Sequence, residues 1–312
     1  MAQRTLTLVQ GDDKSEAAID LLAASWLRSL RGAKSPATIR AYGYAVRGLT
    51  AFLASAGMPT DPATITTEHI NAYLDHEMDT NSPATAKLRR TYLNVFFSWL
   101  AAEGELDDDD DKEGPNPVKR AKVPAVEDRP NDVLTETAWL ALLDAVKGRS
   151  AQDRRDAAIL RVLESSGMRR AEVAGLRISD VNLDDLTVTA RVKGGRVELR
   201  VIDEPTAAAI DRWLRSRKDD TGPTRPLWVG RAGKPLSADG LAHIVRRRGA
   251  QAGIDVHAHM FRHRWAELGK ASMSDENLMA LGGWRSAITM RRYARANTVT
   301  RAVAEYRKSR AT

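Results

Sequence analysis

Apolar positions recur at helical spacing along most of the chain, and at a spacing of two in one short stretch. Ile19, Leu22 and Trp26 mark a first helix face. Ser35-Pro36 sets an N-cap hydroxyl before a proline at the first helical position. Ile39, Tyr42, Val46, Leu49 and Leu53 follow on one face, and Gly57 can close that helix. Thr67 to Glu77 predicts a third helix through Ile70, Tyr73 and Leu74. Ser82-Pro83 repeats the start signal, and Leu88, Tyr92, Val95, Phe96 and Trp99 form the next stripe, closed by Gly104. Residues 15–104 therefore predict a small helical bundle whose aromatic side chains are core, not a base-stacking platform. Residues 1–14 are polar and predict a flexible terminus, although Leu6 and Leu8 alternate with threonines as in a short strand.

Residues 105–131 break this rhythm. Asp107 to Asp111 is an acidic run, and Gly114, Pro115, Pro117, Pro124 and Pro130 follow. Like charges repel and proline blocks helix, so the stretch predicts a linker. Its Lys119, Arg120 and Lys122 suit a phosphate backbone or simple solvation equally well.

Residues 132–312 predict a second domain. Thr135 caps a helix with Trp139, Leu142, Leu143 and Val146, ended by Gly148. Asp156 to Ser165 turns Ile159, Leu160 and Leu163 inward, with Gly167 past its end. From Leu186 to Ile202 the period is two: Leu186, Val188, Ala190 and Val192, then Val197, Leu199 and Val201, with Gly194-Gly195 as the hairpin turn between them. Thr206 to Arg217 is again helical. Ser237 caps a helix with Leu241, Ile244 and Val245 inward and Arg246, Arg247 and Arg248 at its end, and short helices continue to Arg307. The expected fold is mainly α: a helical bundle, then a mostly helical domain with one small antiparallel sheet. No internal repeat is evident.

Composition narrows the function. The 312 residues include no cysteine, which excludes a disulfide scaffold, a thiol nucleophile and a thiolate zinc site. No apolar run approaches the roughly 18 residues of a membrane helix, and the N-terminus lacks a signal-peptide pattern. A cytoplasmic home is the simplest expectation. The charge is uneven: residues 132–312 hold 33 basic and 22 acidic side chains, whereas residues 1–103 hold 10 of each. A polyanionic partner or a solvated arginine-rich surface each accounts for this.

Four features in the basic domain could carry chemistry. Ser166-Gly167-Met168-Arg169-Arg170-Ala171-Glu172 places an arginine just past a helix end. Lys193 sits at the hairpin mouth. His259-Met260-Phe261-Arg262-His263 puts His259 and Arg262 on one helix face. Gly282-Gly283-Trp284 is followed nine residues later by Tyr293. Singly, each has a structural reading: an ion-paired arginine, a solvated turn lysine, a core tryptophan, an amphipathic tyrosine. His259 and His263 have zinc-pair spacing, but no third ligand is evident and no metal is expected.

In order and spacing these residues resemble the tyrosine recombinases, the lambda-integrase and Xer-type family. Gly167-Met168-Arg169 with Glu172 matches the first box, Lys193 the hairpin lysine, His259, Arg262 and His263 the second box, and Trp284 with Tyr293 the third. The resemblance covers residues 15–305. It departs where the family usually has Leu-Gly-His and this chain has Gly282-Gly283-Trp284, and Arg196 lies close enough to Lys193 to compete for its place. Too few residues precede position 15 for an arm-binding domain, so a compact form is expected.

The resemblance implies a DNA breaking-rejoining fold with a core-binding bundle and a catalytic domain. It implies that Tyr293 attacks a phosphodiester and forms a 3′-phosphotyrosine with a free 5′-hydroxyl, without ATP, metal or cofactor. Arg169 and Arg262 would clamp the non-bridging oxygens while staying charged. A tyrosine hydroxyl has an ordinary pKa of about 10 and needs a base or a positive pocket, which makes His259 the candidate base. Lys193 would protonate the leaving oxygen and Trp284 would donate its indole N–H. Glu172 and His263 are supports, and Arg246 and Arg247 join Lys119, Arg120 and Lys122 as candidate DNA contacts. Implied partners are duplex DNA at recombination sites, three further copies in a tetramer assembled on paired sites from free monomers, a nucleoid association when bound, and an accessory directionality factor. The bundle would grip the opposite side of the duplex, and the tail through Val299, Ala302, Val303 and Tyr306 would dock on a neighbouring copy. A phage or mobile-element integrase fits best. The alternatives are a type IB topoisomerase, a DNA-binding regulator without catalysis and a metal-dependent transposase.

Overall fold

The computed structural model describes residues 18–106, 115–126, 133–192, 195–217, 222–230 and 233–294, together with 302, 303, 306, 307 and 310. The expected flexible terminus, the acidic run, Lys193 and Val299 lie outside the described residues. The chain divides into two compact units, Met1–Asp128 and Arg129–Thr312. No helix among the described residues is long and apolar enough to cross a membrane.

The first unit is built on α1 (Ala18–Ser29), α2 (Pro36–Ser55), α3 (Thr67–Thr80) and α4 (Pro83–Glu103). The two Ser-Pro signals act as expected: Ser35 Oγ accepts from the Thr38 N–H and Ser82 Oγ from the Thr85 N–H, both at 3.2 Å. Trp26 stacks on Tyr42 with ring centroids 5.1 Å apart and meets Phe96 at 5.0 Å, so these aromatics are core. The α4 stripe is displaced from the one read in the sequence. Ala86, Leu93, Phe96, Phe97 and Leu100 are buried, whereas Leu88 and Val95 are exposed. Leu88 and Val95 are seven apart and so lie together one face over, exposed.

Part of the expected linker is packed structure. Asn116 caps the short helix α5 (Pro117–Arg120), and its Nδ2 donates to Asn94 Oδ1 at 3.1 Å and Ser98 Oγ at 2.9 Å on α4. Val118 is fully buried in the bundle core. Arg90 donates to the carbonyls of Ala121 and Lys119, each at 3.1 Å. Prolines mark the segment as non-helical by composition, but proline is favoured at a first helical turn, and one apolar anchor with satisfied carbonyls seats it.

The second unit runs α6 (Glu136–Asp144), α7 (Ala151–Ser166), α8 (Arg170–Ala174), β1 (Val181–Asn182), β2 (Thr187–Arg191), β3 (Val197–Val201), α9 (Glu204–Ser216), α10 (Ala238–Gln251), α11 (Ala258–Ser272), α12 (Asp275–Gly282) and α13 (Ala287–Tyr293). α6 ends before Gly148, at Asp144 with Ala145 as its C-cap. The helix α7 is the spine, packed against α9 and α11. The sheet is antiparallel in the order β1-β2-β3. Its inner face reverses the sequence reading of the third strand. Val188 and Ala190 are buried, and their partners across the ladder are Arg200 and Glu198. Val197, Leu199 and Val201 therefore face outward, at 62%, 58% and 49% exposure. The period of two is right, but Arg200 takes the inside because Glu198 neutralises it at 2.5 Å.

The arginines Arg246–Arg248 do not simply end α10. Asp156 on α7 is fully buried and receives Arg155 at 2.8 Å, Arg247 at 2.5 Å and Arg248 at 2.8 Å. Arg248 also reaches Asp153 at 2.7 Å. Arg247, expected as a DNA contact, is thus held by the interior of the domain, while Arg246 remains exposed.

Candidate active site

The site assembles where α7, α11, α12 and α13 end or begin. Gly167 turns the chain out of α7 at φ +59, and a Cβ there would enter the Trp265 ring of α11. That turn delivers Arg169 to the start of α8. The Glu172 carboxylate accepts from the Arg169 backbone N–H at 2.9 Å and from its Nη1 at 2.8 Å. One acid caps the helix and aims the guanidinium, which stays 44% exposed.

Arg262 is the hub of the group and is fully buried. Its Nη1 donates to the Gly167 carbonyl at 2.5 Å and its Nη2 to the Gly282 carbonyl at 2.6 Å. The fork therefore ties the end of α7 to the end of α12. Its Cζ lies 4.4 Å from the Trp284 ring and 5.2 Å from the Tyr293 ring. The sequence suggested an open phosphate clamp; the structure covers this guanidinium with two rings and leaves its Nε without a partner among the described residues.

Trp284 is 5% exposed, and its Nε1 is also buried without a partner among the described residues. A Cβ on Gly282 would penetrate the indole, so glycine is what lets the ring fold back on α12. Gly282→Ala is expected to push the indole off Arg262 and cost about 1–3 kcal/mol of stability. Near-UV circular dichroism and a denaturant melt check this.

Tyr293 closes α13. Its ring stacks on His263 at 4.7 Å and lies 5.0 Å from His259 and 5.3 Å from Trp284. The Tyr293 carbonyl accepts from His263 Nδ1 at 3.1 Å, which fixes that imidazole's tautomer and anchors the helix end. Burial lowers the His259 pKa to about 4, aided by the positive charge of His263, Arg262, His257 and Arg169. Burial also lowers His263, against the pull of the Tyr293 carbonyl. Arg262 is lowered to about 10 by burial and by Arg169, and stays charged at neutral pH. Both histidine shifts are downward, so folding favours the neutral rings. Their stabilisation is complete above the ordinary value of 6.5 and is lost as pH falls through the lowered values. In a proton NMR titration the His259 ring is expected to remain neutral to about pH 4. A midpoint near 6.5 would contradict the burial argument.

Two cavities flank the group and share Arg169. One, of about 580 Å³, is lined by Arg169, Arg191, Arg196, Glu198, Trp284 and Arg285. The other, of about 320 Å³, is lined by Arg169, Arg246, His257, His259 and Arg262 among others. Burial pushes the Glu198 carboxyl up, but Arg200, Arg196 and Arg169 outweigh it and hold the group below its ordinary value. Arg191, Glu198, His257 and Arg285 carry no signal in the sequence, since such residues are frequent and only the fold brings these to the cavity walls. Lys119, Arg120 and Lys122 belong to the first unit: Lys119 and Lys122 are exposed, Arg120 is half-buried, and the Lys122 backbone N–H donates to Asn71 Oδ1 at 2.8 Å. No cluster of three or more His, Asp or Glu among the described residues could hold a metal ion.

Two helical units, the second with a three-stranded antiparallel sheet and one tyrosine packed against an arginine, two histidines and a tryptophan, define the DNA breaking-rejoining class. Residues 132–299 match the Phage integrase family, and residues 23–104 match the Phage integrase, N-terminal SAM-like domain. The chain belongs to the phage integrase family, the tyrosine recombinases. A tyrosine recombinase XerC of Chromohalobacter salexigens is 30% identical over 250 residues, 77% of this chain and 79% of that protein. A tyrosine recombinase XerC of Chromobacterium violaceum is 30% identical over 194 residues, 61% of this chain but only 62% of the relative's length. Among solved structures, a lambda integrase tetramer bound to a Holliday junction matches with a TM-score of 0.71 at 18% identity, over 91% of this chain and 79% of that one.

Proposed function

We propose that the protein is a site-specific DNA recombinase that cleaves and rejoins duplex DNA through a 3′-phosphotyrosine. The observation that carries this is the packing of the Tyr293 ring against Arg262, His259, His263 and Trp284, beside a cavity lined by Arg169. In the proposed reaction the Tyr293 oxygen bonds to the scissile phosphorus and the bond to the 5′ oxygen breaks. His259, neutral at physiological pH, accepts the phenolic proton. Lys193 gives a proton to the leaving 5′ oxygen, with Arg196 as the substitute if Lys193 does not reach. Arg169, Arg262 and the Trp284 N–H stabilise the charge that builds on the non-bridging oxygens. Arg262 can offer its Nε and any N–H released when the Tyr293 ring swings toward phosphate, because its present Nη partners are backbone carbonyls. The 5′-hydroxyl of a second duplex then attacks the phosphotyrosine and gives its proton to Lys193, the bond between phosphorus and the Tyr293 oxygen breaks, and His259 returns the phenolic proton, so one phosphodiester replaces another and no energy source is consumed.

We further propose that four copies act on paired sites, that the copies are monomers when free, and that the task is integration or excision of a mobile element, with a directionality factor as a possible accessory. Light scattering with and without paired-site DNA tests the assembly: a tetramer only with DNA supports it, and a free tetramer refutes it.

The chemical reading is tested with nicked suicide duplexes selected for binding from a randomised pool, incubated in EDTA and run on a denaturing gel. A covalent protein–DNA band is expected, unchanged by EDTA and absent from Tyr293→Phe. Loss of the band in EDTA would overturn a metal-free mechanism. Tight binding with no band in the unaltered protein would favour a regulator. A covalent band with relaxation of supercoiled plasmid at a single site would favour a topoisomerase.

A further inference from the structure

A second basic cavity lies between α7 and α9, apart from the site around Tyr293. It encloses about 420 Å³ and shares no lining residue with the two cavities at Arg169. Its walls carry Arg149, Arg154, Arg161 and Arg212, and Leu143 and Val146 contribute an apolar floor. Arg154 stands near the start of α7, and Arg169 lies just past the other end. A helix of 16 residues is about 24 Å long, so the two places are well separated.

The charge state of this cavity is unusual for the domain. Elsewhere most arginines that fold inward meet carboxylates: Arg155, Arg247 and Arg248 on Asp156, Arg264 on Glu164, Arg200 on Glu198, while the buried Arg262 meets two backbone carbonyls instead. Arg149, Arg154, Arg161 and Arg212 have no carboxylate within ion-pair distance among the described residues. The acids nearby are taken: Asp153 by Arg248 at 2.7 Å, Asp211 by Arg215 at 2.6 Å, and Asp144 by Lys147. Arg154 and Arg161 are half-buried. Like charges gathered over a low-dielectric floor repel one another, and they focus a positive potential that an anion relieves.

We infer that this cavity docks an acidic peptide segment of a partner protein, with its carboxylates on the four guanidiniums and an apolar side chain on the floor. A guanidinium fork matches a carboxylate in a bidentate way. The floor decides between anions. A duplex offers phosphates along a continuous rail but no apolar group to fill a pocket behind them, whereas a peptide alternating Leu with Asp offers both. Docking here leaves Arg169 and Tyr293 unobstructed, so a partner could be held during DNA engagement. The inference stands on the cavity alone and does not require the cleavage reading.

The test uses the full-length protein and a fluorescein-labelled peptide, Glu-Leu-Asp-Asp-Leu-Asp-Asp, followed by anisotropy. Saturable binding is expected. It should weaken at least tenfold in Arg149→Gln/Arg212→Gln and, separately, in Arg154→Gln/Arg161→Gln. Arg246→Gln, which alters a basic residue outside the cavity, should bind as the unaltered protein does. A peptide with both leucines changed to serine should bind at least tenfold more weakly. Thermal melts establish that the variants fold, and the exposed pair Arg149 and Arg212 gives a variant with little packing at stake. Equal binding by both double variants, or equal binding of the serine peptide, overturns the proposal. If the double variants lose affinity for random duplex DNA while the peptide fails to bind, the cavity belongs to nucleic acid and the proposal also falls.

Discussion

Replacing Arg262 by alanine is expected to abolish detectable covalent adduct and to destabilise the second unit. The two effects have separate origins. The guanidinium donates to the carbonyls of Gly167 and Gly282, which are otherwise left unsatisfied in the interior. Each orphaned buried acceptor costs about 1–3 kcal/mol, so a total of about 2–6 kcal/mol is expected for the two. In the proposed reaction the charge it would bring to a scissile phosphate is the second contribution, and losing one preorganised donor to a developing oxyanion slows such reactions by about 10²–10³. Loss of the fork also frees the turns that carry Arg169 and Trp284, so the catalytic loss should exceed that range. Arg262→Lys separates the two origins. An ammonium keeps the charge but cannot span both carbonyls, so it should retain DNA affinity and still lose most of the stability and the cleavage. Urea melts and suicide-substrate gels read the two effects independently. A lysine variant that cleaves at the normal rate would remove Arg262 from its role as a bridge.

Asp156→Ala is expected to be the most destabilising change away from the pocket. The carboxylate is fully buried and holds Arg155, Arg247 and Arg248. Removing one partner of a buried pair leaves an uncompensated charge and costs about 3–5 kcal/mol. Here three cations are released at once, and Arg248, only 7% exposed, has Asp153 as its remaining acid. Asp156→Asn keeps the shape and one accepting oxygen but neither the charge nor the second acceptor, so it should fall between alanine and the unaltered chain. Denaturant midpoints of the three proteins check the order. Because α10 bears both Arg246 and two of these arginines, the alanine variant should also lose DNA affinity after it has been shown to remain folded at low temperature.

Much of the local structure was legible because it depends on neighbours in the chain. The Ser-Pro pairs start α2 and α4 through caps three residues away, and Gly104 and Gly167 end their helices in left-handed turns. The resemblance to the tyrosine recombinases implies the grouping of His259, Arg262, Trp284 and Tyr293, and the structure places these side chains together. What spacing could not convey was their state. Arg262 looks in sequence like any basic residue on a helix face, and only the approach of two carbonyls and two rings buries it.

The remaining differences have one physical source. A period of two is written in β3, but which face turns inward is settled by β2 across the ladder and by the Glu198–Arg200 pair. The α4 stripe was read one face off because the faces of that helix are separated by which neighbours cover them. Segment 115–126 was read as linker because its anchor, Asn116, finds its partners on α4, 18 to 22 residues earlier. The hold of Asp156 on Arg247 is invisible in the sequence because the two lie 91 residues apart. By itself the sequence determined several helix starts and ends, the hairpin, the charge asymmetry and the order of the chemical residues. These follow from interactions within a few residues, whose geometry the backbone imposes. Tertiary structure alone decided which charges are neutralised, which rings cover Arg262 and which arginines stay open for a ligand. Those outcomes depend on groups distant in the chain meeting where water has been excluded, and there a single carboxylate changes what an arginine can do.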